Sequence, residues 1–207
     1  MDELLQALKK LNSELEKDDI VLNLNIVGGF SLFLQNLDVE IRQSHDIDSA
    51  SKLAEEVIEK VRRIGQEMNI DLRWLNDDVL SLYTDLEFAG IDLEQLKFRP
   101  NTKIDFSNIH LNIIDIDDFV RLKLFSLFSE IYDFMQYNKT FEREQDLQDI
   151  KTITTVCVIN LTEMLNEITS YVHDYRFRNL TQSLLNAYLA ETLSNTRINS
   201  FLKENRA

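Results

Sequence analysis

The sequence predicts an α+β protein in which a small mixed β-sheet, flanked by helices, is followed by an all-helical C-terminal region. The first observation is a shortage of turn-forming residues: 4 glycines and 1 proline among 207 residues, where average usage of the two is about 12%. The second is that strand-like alternation of apolar and polar residues occurs only before residue 116. The third is helical periodicity from residue 117 to the end. We therefore predict two domains, 1–116 and 117–207.

The first half of the chain alternates between helices and short strands. Leucines at helical spacing predict an amphipathic helix over residues 2–17, and the VLNLNIV segment at 21–27 predicts a strand. Residues 71–100 give no clear pattern, apart from a helix start suggested at 74–78. The same reasoning predicts further elements: a helix over 30–37, a strand at 46–48, a helix over 50–68, and strands at 103–106 and 109–116.

The second half of the chain is helical throughout. Apolar residues recur there at helical spacing, without an internal repeat or a low-complexity tract. Five helices are predicted, at about 117–137, 143–157, 160–174, 177–192 and 194–204.

The charge balance limits the classes of partner. The chain carries 22 basic and 36 acidic residues, a net charge of −14, and nonspecific nucleic-acid binding depends on neutralising phosphates. The charge is uneven, because residues 171–207 hold five basic and three acidic side chains. This end is the one candidate surface for an anionic macromolecule such as tRNA, and the alternative is an ordinary solvated helix surface.

Cysteine content and hydropathy indicate the compartment. A single cysteine, Cys157, excludes an intrachain disulfide and suits a reducing environment. The start MDELLQALKK lacks the basic and apolar regions of a secretory signal. The most apolar later stretch, 152–171, is interrupted by polar residues and is not a membrane span. We therefore expect a cytoplasmic protein without membrane contact.

A strand, a glycine pair, a helix and a strand with two aspartates follow one another between residues 26 and 48. Gly28-Gly29 begins the helix, so backbone N–H groups there can approach an anion without interference from a Cβ. Asp46 and Asp48 are two residues apart on a strand, so both carboxylates project together while Ile47 points into the core. Such a pair repels unless a cation lies between its members, and Mg²⁺ takes carboxylates together with substrate phosphates. The order of these parts is more specific than any part alone.

This stretch resembles the signature of the nucleotidyltransferase superfamily (DNA polymerase β-like), in which Gly-Gly or Gly-Ser at a helix start precedes a two-carboxylate strand. Gly28-Gly29, Arg42, Ser44 and Asp46-Ile47-Asp48 fit the "GG … R-x-[S/T]-x-D-I-D" form that is typical of AbiEii-type nucleotidyltransferase toxins and related uncharacterised domains. The Trp74-Leu75-Asn76-Asp77 segment is similar to a WLN segment of those domains. The resemblance implies that the first domain is a nucleotidyltransferase core.

Two later segments extend the resemblance to roughly residues 20–155. Leu122-Lys123-Leu124 and residues 143–150 resemble the "LLALKL" and "R-x-x-D-L-x-D-I" motifs. Lys123 lies in a helix that is apolar almost all round, where lysine is seldom buried unless paired. It is either a snorkelling side chain at a helix edge or, as the resemblance implies, a cation that reaches the nucleotide phosphates.

Asp146 and Asp149 lie three residues apart on one helix and share a face. This face is either solvated, with Arg143 as a local partner, or part of the site. The resemblance implies that Asp146 is an active-site carboxylate that faces Lys123.

A third carboxylate, usual in the superfamily on a later strand, is not identified by any motif here. Asp105, Asp115 and Asp117 are the candidates. If none serves, a single metal with Lys123 and Asp146 would have to suffice.

Ser44 and His45 stand next to the paired aspartates. In some related toxins, a serine or threonine at the position of Ser44 is phosphorylated to silence the enzyme, which makes Ser44 a regulatory hypothesis. The alternative is a plain strand-edge hydroxyl. His45 is expected to be exposed, and the three histidines and one cysteine show no zinc-ligand spacing.

The resemblance implies Mg²⁺- or Mn²⁺-dependent transfer of a nucleoside monophosphate from a nucleoside triphosphate to an acceptor hydroxyl, with release of pyrophosphate. It assigns metal binding to the paired aspartates, phosphate contacts to the glycine pair and two cations, and the acceptor proton to an acidic side chain. The residues in these roles are Asp46 and Asp48 for the metal, Gly28, Gly29, Arg42 and Lys123 for the nucleotide, and Asp146 for the proton.

The acceptor and the partners follow only from the toxin resemblance. It implies a tRNA end or a protein side chain as acceptor, with small antibiotics as a further class in the superfamily, and an antitoxin protein as partner. Two other functional classes compete with this interpretation. One is a catalytically degenerate nucleotidyltransferase fold that binds a nucleotide or a partner. The other is a purely structural helical protein, and residues 156–207 match no motif.

Overall fold

A computed structural model describes residues 2–35, 37, 43–82, 85, 91–169 and 175–205. It confirms the predicted α+β class, with a five-stranded mixed sheet followed by a helical C-terminal region. Contacts divide the chain into two compact units. The first comprises Met1–Thr84 and Leu93–Phe119, and the second comprises Asp85–Asp92 and Val120–Ala207. The domain boundary at residue 116 stays a prediction.

The sheet lies in the first unit and is centred on a long strand. Its strands are β1 (Leu22–Val27), β2 (Ile47–Ser49), β3 (Leu75–Asn76), β4 (Phe98–Pro100) and β5 (Ile109–Ile114). Their order across the sheet is β3-β2-β1-β5-β4. The central strand β1 is parallel to β5 and antiparallel to β2, while β2 is parallel to β3 and β4 is antiparallel to β5.

The alternation that predicts β1 and β5 corresponds to a buried and a polar face. The first, third and fifth residues of both strands are buried, and the second and fourth are polar and exposed or half-buried. The last residue of each strand, Val27 or Ile114, is also buried. Three helices complete this unit: α1 (Asp2–Lys17), α2 (Gly28–Leu34) and α3 (Glu55–Met68). Leucines of α1, the apolar face of α3 and Phe30 of α2 join the buried strand residues in one core.

The second unit is made of helices. They are α4 (Ile116–Tyr137, which begins in the first unit), α5 (Glu144–Thr154), α6 (Leu161–Thr169), α7 (Tyr175–Leu189) and α8 (Ile198–Glu204). Helix α7 contacts α5, α6 and α8, and Leu184 and Leu185 of α7 are almost fully buried. Helix α6 corresponds to the predicted helix over 160–174 as far as Thr169. Residues 170–174 of that prediction lie outside the described residues.

Two sequence predictions are wrong. Residues 103–106 do not form a strand, because Asn101 turns the chain after β4: its amide donates to the Ile104 carbonyl (2.6 Å) and its Oδ1 accepts the N–H of Lys103 (3.0 Å). The segment 74–78 does not start a helix at its first residue. Leu75 and Asn76 form β3, and a short 3₁₀ helix follows at Asp78–Leu82.

Two helix starts also differ from the prediction. Helix α2 begins at Gly28, two residues before the predicted start. Helix α3 begins at Glu55 rather than near residue 50, because side chains hold the chain before it in a non-helical course: the N–H of Leu53 donates to Asp77 Oδ2 (2.9 Å), and Ser51 Oγ accepts the N–H of Asn25 (3.0 Å). No helix in the described part of the chain is long and apolar enough to cross a membrane.

Candidate functional site

The glycine pair stands at the corner where β1 ends and α2 begins. Gly28 adopts a φ of +63°, a left-handed conformation that glycine adopts without strain. A Cβ built on Gly28 would lie 2.0 Å from Oδ2 of Asp48 and 3.0 Å from its Cγ. Glycine is therefore required at this position both by the backbone and by the close approach of the Asp48 carboxylate.

The register of the sheet brings Asp48 to that corner. Val27, the last residue of β1, lies opposite Asp48 of the antiparallel strand β2. Ile47 is fully buried in the core, as predicted, and its neighbours Asp46 and Asp48 are exposed and half-buried, respectively. Asp46 directly precedes β2 rather than lying on it as predicted. The strand period keeps Asp48 out of the core, and the pairing of β1 with β2 places it against Gly28.

Ser44 and His45 lead into β2 and contact the acidic pair differently. Ser44 is buried, and its Oγ donates to the backbone oxygen of Asp46 (3.0 Å) and lies 3.4 Å from the Asp46 carboxylate. His45 is exposed, as predicted. A phosphoryl group on Ser44 would require this hydroxyl to leave its buried position, so the regulatory hypothesis stays a prediction.

An open polar cleft adjoins the acidic pair within the first unit. Its volume is about 230 Å³. Three carboxylates, one guanidinium, one imidazole and one amide line it: Asp46, Asp71, Asp78, Arg73, His45 and Asn76. Arg73 and Asp78 form an ion pair with each other. The cleft therefore carries an excess of negative charge next to the residues predicted to hold a metal.

Asn76 is a further polar residue at the acidic pair, and no motif in the sequence predicts a role for it. This residue is buried on β3, directly beside Asp48 in the register of β2 and β3, and its amide Nδ2 donates to Asp48 Oδ1 (3.3 Å). The WLN segment was the available signal, although spacing alone does not say which of its residues faces the acidic pair. Trp74, in contrast, is part of the core and donates from Nε1 to the Val61 carbonyl (2.9 Å).

The candidates for a third carboxylate differ in their placement. Strands β1 and β5 are parallel, and Ile26 pairs with Ile113. Two residues further along each chain, Asp115 lies level with Gly28, at the end of the sheet where both strands finish. Its Oδ1 accepts the N–H of Asp117 in the first turn of α4 (3.1 Å). Asp105 is exposed and precedes the start of β5, at the opposite end of these strands.

The fit of a divalent cation depends on the number of acidic ligands at the corner. Among the described residues, no group of three or more His, Cys, Asp or Glu side chains is arranged to hold a metal ion. Asp46 and Asp48 remain as a pair, and Mg²⁺ is commonly bound by one or two carboxylates together with substrate phosphates. The close approach of Asp48 to the Gly28 backbone suits such a shared site, because phosphates bound at the glycine corner would lie next to that carboxylate.

Lys123 and Asp146 come together in the second unit. Lys123 Nζ lies 2.5 Å from Asp146 Oδ1 and 3.1 Å from Asp149 Oδ2, and Ser126 Oγ donates to Asp146 Oδ2 (2.7 Å). The lysine side chain is 14% exposed, and those of Asp146 and Asp149 are 7% and 1% exposed. Neither a snorkelling lysine nor a solvated acidic face describes this cluster. Arg143 contacts Glu130 instead (3.8 Å).

The protonation of Lys123 reflects two opposing effects. Burial lowers the pKa of its ammonium, but the charges of Asp146 and Asp149, with their hydrogen bonds, outweigh burial and raise the pKa above the ordinary value of 10.5. Lys123 is therefore a stable cation whose charge is already engaged by two carboxylates. The predicted contact of Lys123 with nucleotide phosphates and the predicted proton transfer by Asp146 stay predictions.

Arg42, the other predicted phosphate ligand, lies outside the described residues. Gly29 is buried within the first turn of α2.

Comparison of the chain with protein-family models, curated proteins and solved structures gives no match.

Proposed function

We propose that this protein is a Mg²⁺-dependent nucleotidyltransferase that moves a nucleoside monophosphate from a nucleoside triphosphate to an acceptor. The observation that carries the proposal is the contact between Gly28 and Asp48: a left-handed glycine at a strand-to-helix corner, with a carboxylate against its backbone. This contact joins the two halves of the sequence signature, which are 20 residues apart in the chain.

The residues of the corner have separate proposed roles in binding the metal and the phosphates. Asp46 and Asp48 would hold Mg²⁺, which supplies neutralisation of the charge that develops on the phosphates. The backbone N–H groups of Gly28 and Gly29 would donate to phosphate oxygens, because N–H groups in the first turn of a helix have no acceptor within that helix. Helix α2 has only seven residues, so the proposal rests on these local donors rather than on the dipole of a long helix. Fixed donors aimed at developing charge provide the main catalytic effect in such reactions.

The acceptor that we propose is a tRNA end or a protein side chain, as in the toxins that the sequence resembles, with an antitoxin protein as a further partner. The net charge of −14 opposes the approach of nucleic acid to the protein as a whole. A tRNA acceptor would therefore depend on the basic residues of the C-terminal end, Arg176, Arg178, Arg197, Lys203 and Arg206.

The test is transfer of label from each of the four α-labelled nucleoside triphosphates, with Mg²⁺ and either total tRNA or the protein itself as acceptor. We expect labelled product with the unmodified chain. Asp46→Ala and Asp48→Ala should each reduce the transfer at least about a hundredfold, since a metal that stabilises phosphoryl charge contributes several kcal/mol. Asp18→Ala, which removes an exposed carboxylate that pairs with Lys60 in the turn after α1, is the control and should transfer normally. Transfer that survives both site substitutions would contradict the proposal.

The alternative is a catalytically degenerate nucleotidyltransferase fold that binds nucleotide without turnover. The missing third carboxylate favours it: among the described residues, no group of three or more His, Cys, Asp or Glu side chains is arranged to hold a metal ion. A rise in melting temperature with Mg²⁺ and nucleotide, unaccompanied by transfer to any acceptor, would select this alternative.

A further inference from the structure

Asn76 is held in a fixed position beside Asp48. It is the second residue of β3, lies directly opposite Asp48 of β2, and is 8% exposed. The strand is anchored at its start: Trp74, directly before it, is fully buried, and the Trp74 carbonyl accepts the N–H of Ile47 in β2 (2.7 Å). The backbone of Asn76 therefore has little freedom relative to Asp48.

The orientation of the Asn76 amide follows from its neighbours. The backbone N–H of Asp78 lies 3.1 Å from one end of the amide, and a backbone N–H can only donate, so this end is the oxygen Oδ1. The other end is Nδ2, which donates to Oδ1 of Asp48 at 3.3 Å. The same Nδ2 lies 3.5 Å from the Arg73 carbonyl. The amide thus presents a donor, and not an acceptor, to the carboxylate.

The two oxygens of Asp48 face different neighbours. Oδ2 lies against the backbone of Gly28, and Oδ1 accepts from Asn76 at the wall of the polar cleft. With one oxygen confined by main chain and the other by a hydrogen bond, the plane of the carboxylate is set before any ligand binds. Partners of this kind around metal-binding carboxylates and imidazoles control both orientation and affinity.

We infer that Asn76 is a positioning residue, which rests on the proposed function: it orients Asp48 so that the carboxylate can bind the divalent cation of a metal–nucleotide complex. Asn76 does not need to touch the nucleotide. Its contribution is a fixed donor to Oδ1, and removing that donor removes one of the constraints that hold the Asp48 carboxylate in the geometry in which it would share a cation with phosphates at the glycine corner.

The experiment is isothermal titration calorimetry of the full chain with the preformed Mn²⁺–ATP complex, so that the heat reports binding of the complex to the protein and not chelation of Mn²⁺ by ATP. Two variants remove the donor: Asn76→Ala, and Asn76→Leu, which keeps most of the side-chain volume. We expect both to weaken Mn²⁺–ATP binding about tenfold to a hundredfold, the usual effect of removing a partner of a metal ligand. Circular dichroism of each variant establishes that it is folded.

Asn112→Ala is the matched control, because Asn112 also lies on a strand of the same sheet and donates from Nδ2 to another asparagine, Asn25 (3.0 Å). It should bind Mn²⁺–ATP as the unmodified chain does. Equal weakening by Asn112→Ala, or unchanged binding by folded Asn76→Ala and Asn76→Leu, would overturn the positioning role while the proposed function stands. Absence of Mn²⁺–ATP binding by the unmodified chain would overturn both.

Discussion

At the scale of single residues, Gly28 and Asp48 pack directly against each other at the corner between β1 and α2. The left-handed backbone of Gly28 directs the chain from β1 into α2, and the space that a Cβ would fill is occupied by the Asp48 carboxylate. Neither constraint depends on a ligand. The corner is therefore built in advance, with a flexible acidic side chain confined against main chain, which is the arrangement that a preorganised anion and metal site needs.

We predict that Gly28→Ala destabilises the protein by more than the about 1–2 kcal/mol that a left-handed alanine costs. The excess comes from crowding, because the new Cβ would meet the carboxylate, Cγ and Cβ of Asp48 at 2.0, 3.0 and 3.2 Å. Urea unfolding of Gly28→Ala, Asp48→Ala and the double variant separates the two contributions. In the Asp48→Ala background the contacts with Oδ2 and Cγ are removed and the Cβ contact at 3.2 Å is kept, so the cost of Gly28→Ala should fall towards that of the backbone. An unchanged cost would show that the contact with the Asp48 carboxylate contributes nothing.

Some residues of the candidate site are predictable from the sequence and others are not, for physical reasons. The glycine pair and the two aspartates were predictable because strand period and glycine geometry are local properties. The burial of Asp149 beside Lys123, and the donor role of Asn76, depend on which helices and strands pack together. Spacing of three residues on α5 predicts only that Asp146 and Asp149 share a face, not that the face is buried.

At the scale of secondary-structure elements, α3 is fixed by its C-terminal turn. The helix ends at Met68, Asn69 adopts a left-handed φ of 54°, and the N–H of Ile70 donates to the Gly65 carbonyl (3.0 Å). The chain then folds back so closely that a Cβ on Gly65 would lie 2.6 Å from the backbone oxygen of Asp71. This return leads directly into Trp74 and β3, and so sets the position of Asn76.

We predict that Gly65→Ala lowers the free energy of unfolding by about 1–3 kcal/mol, the usual cost of forcing extra volume into a packed position. Helix propensity predicts the opposite sign, a gain of about 0.5–1 kcal/mol for alanine over glycine inside a helix. Crowding should dominate, because the atom in the way belongs to the backbone and cannot rotate aside. Gln66→Ala, at the next and exposed position of α3, is the control and should stay within about 0.5 kcal/mol. A stabilised Gly65→Ala variant in urea unfolding would contradict the role of this close packing.

The elements that sequence reasoning predicted well are those long enough to show a period. β1 and β5 have six residues each and alternate clearly, and α1 and α4 have continuous helical spacing. β3 has two residues and β4 has three, so neither shows an alternation, and each is defined by its pairing with a neighbouring strand. The segment 103–106 resembled a strand, but the turn at Asn101 ends the pairing of β4 with β5 before it.

At the scale of the whole molecule, the positions of the charged side chains matter more for folding stability than the net charge of −14. Partly exposed ion pairs such as Arg121 with Glu167 (3.4 Å) contribute at most about 1 kcal/mol each, because water and salt screen them. The cluster of Lys123 with Asp146 and Asp149 is different, since its two carboxylates are buried and would lose their common cation if the lysine were replaced. Two substitutions that change the net charge equally should therefore affect folding very differently.

We predict that Lys123→Met lowers the free energy of unfolding by about 3–5 kcal/mol, the cost of leaving buried charges without their partner, whereas Arg121→Met on the same helix changes it by less than about 1 kcal/mol. Urea unfolding from pH 7 upward provides the measurement and a check on its cause. Because the ion pairs raise the pKa of Lys123 above 10.5, their stabilisation is fully present below the unfolded pKa of 10.5 and is lost only as pH rises through the higher folded value. The gap between the unmodified chain and Lys123→Met should thus stay constant from pH 7 to about 10 and narrow above. A gap that shrinks between pH 7 and 9, or equal effects of the two substitutions, would show that the buried pairs do not govern stability.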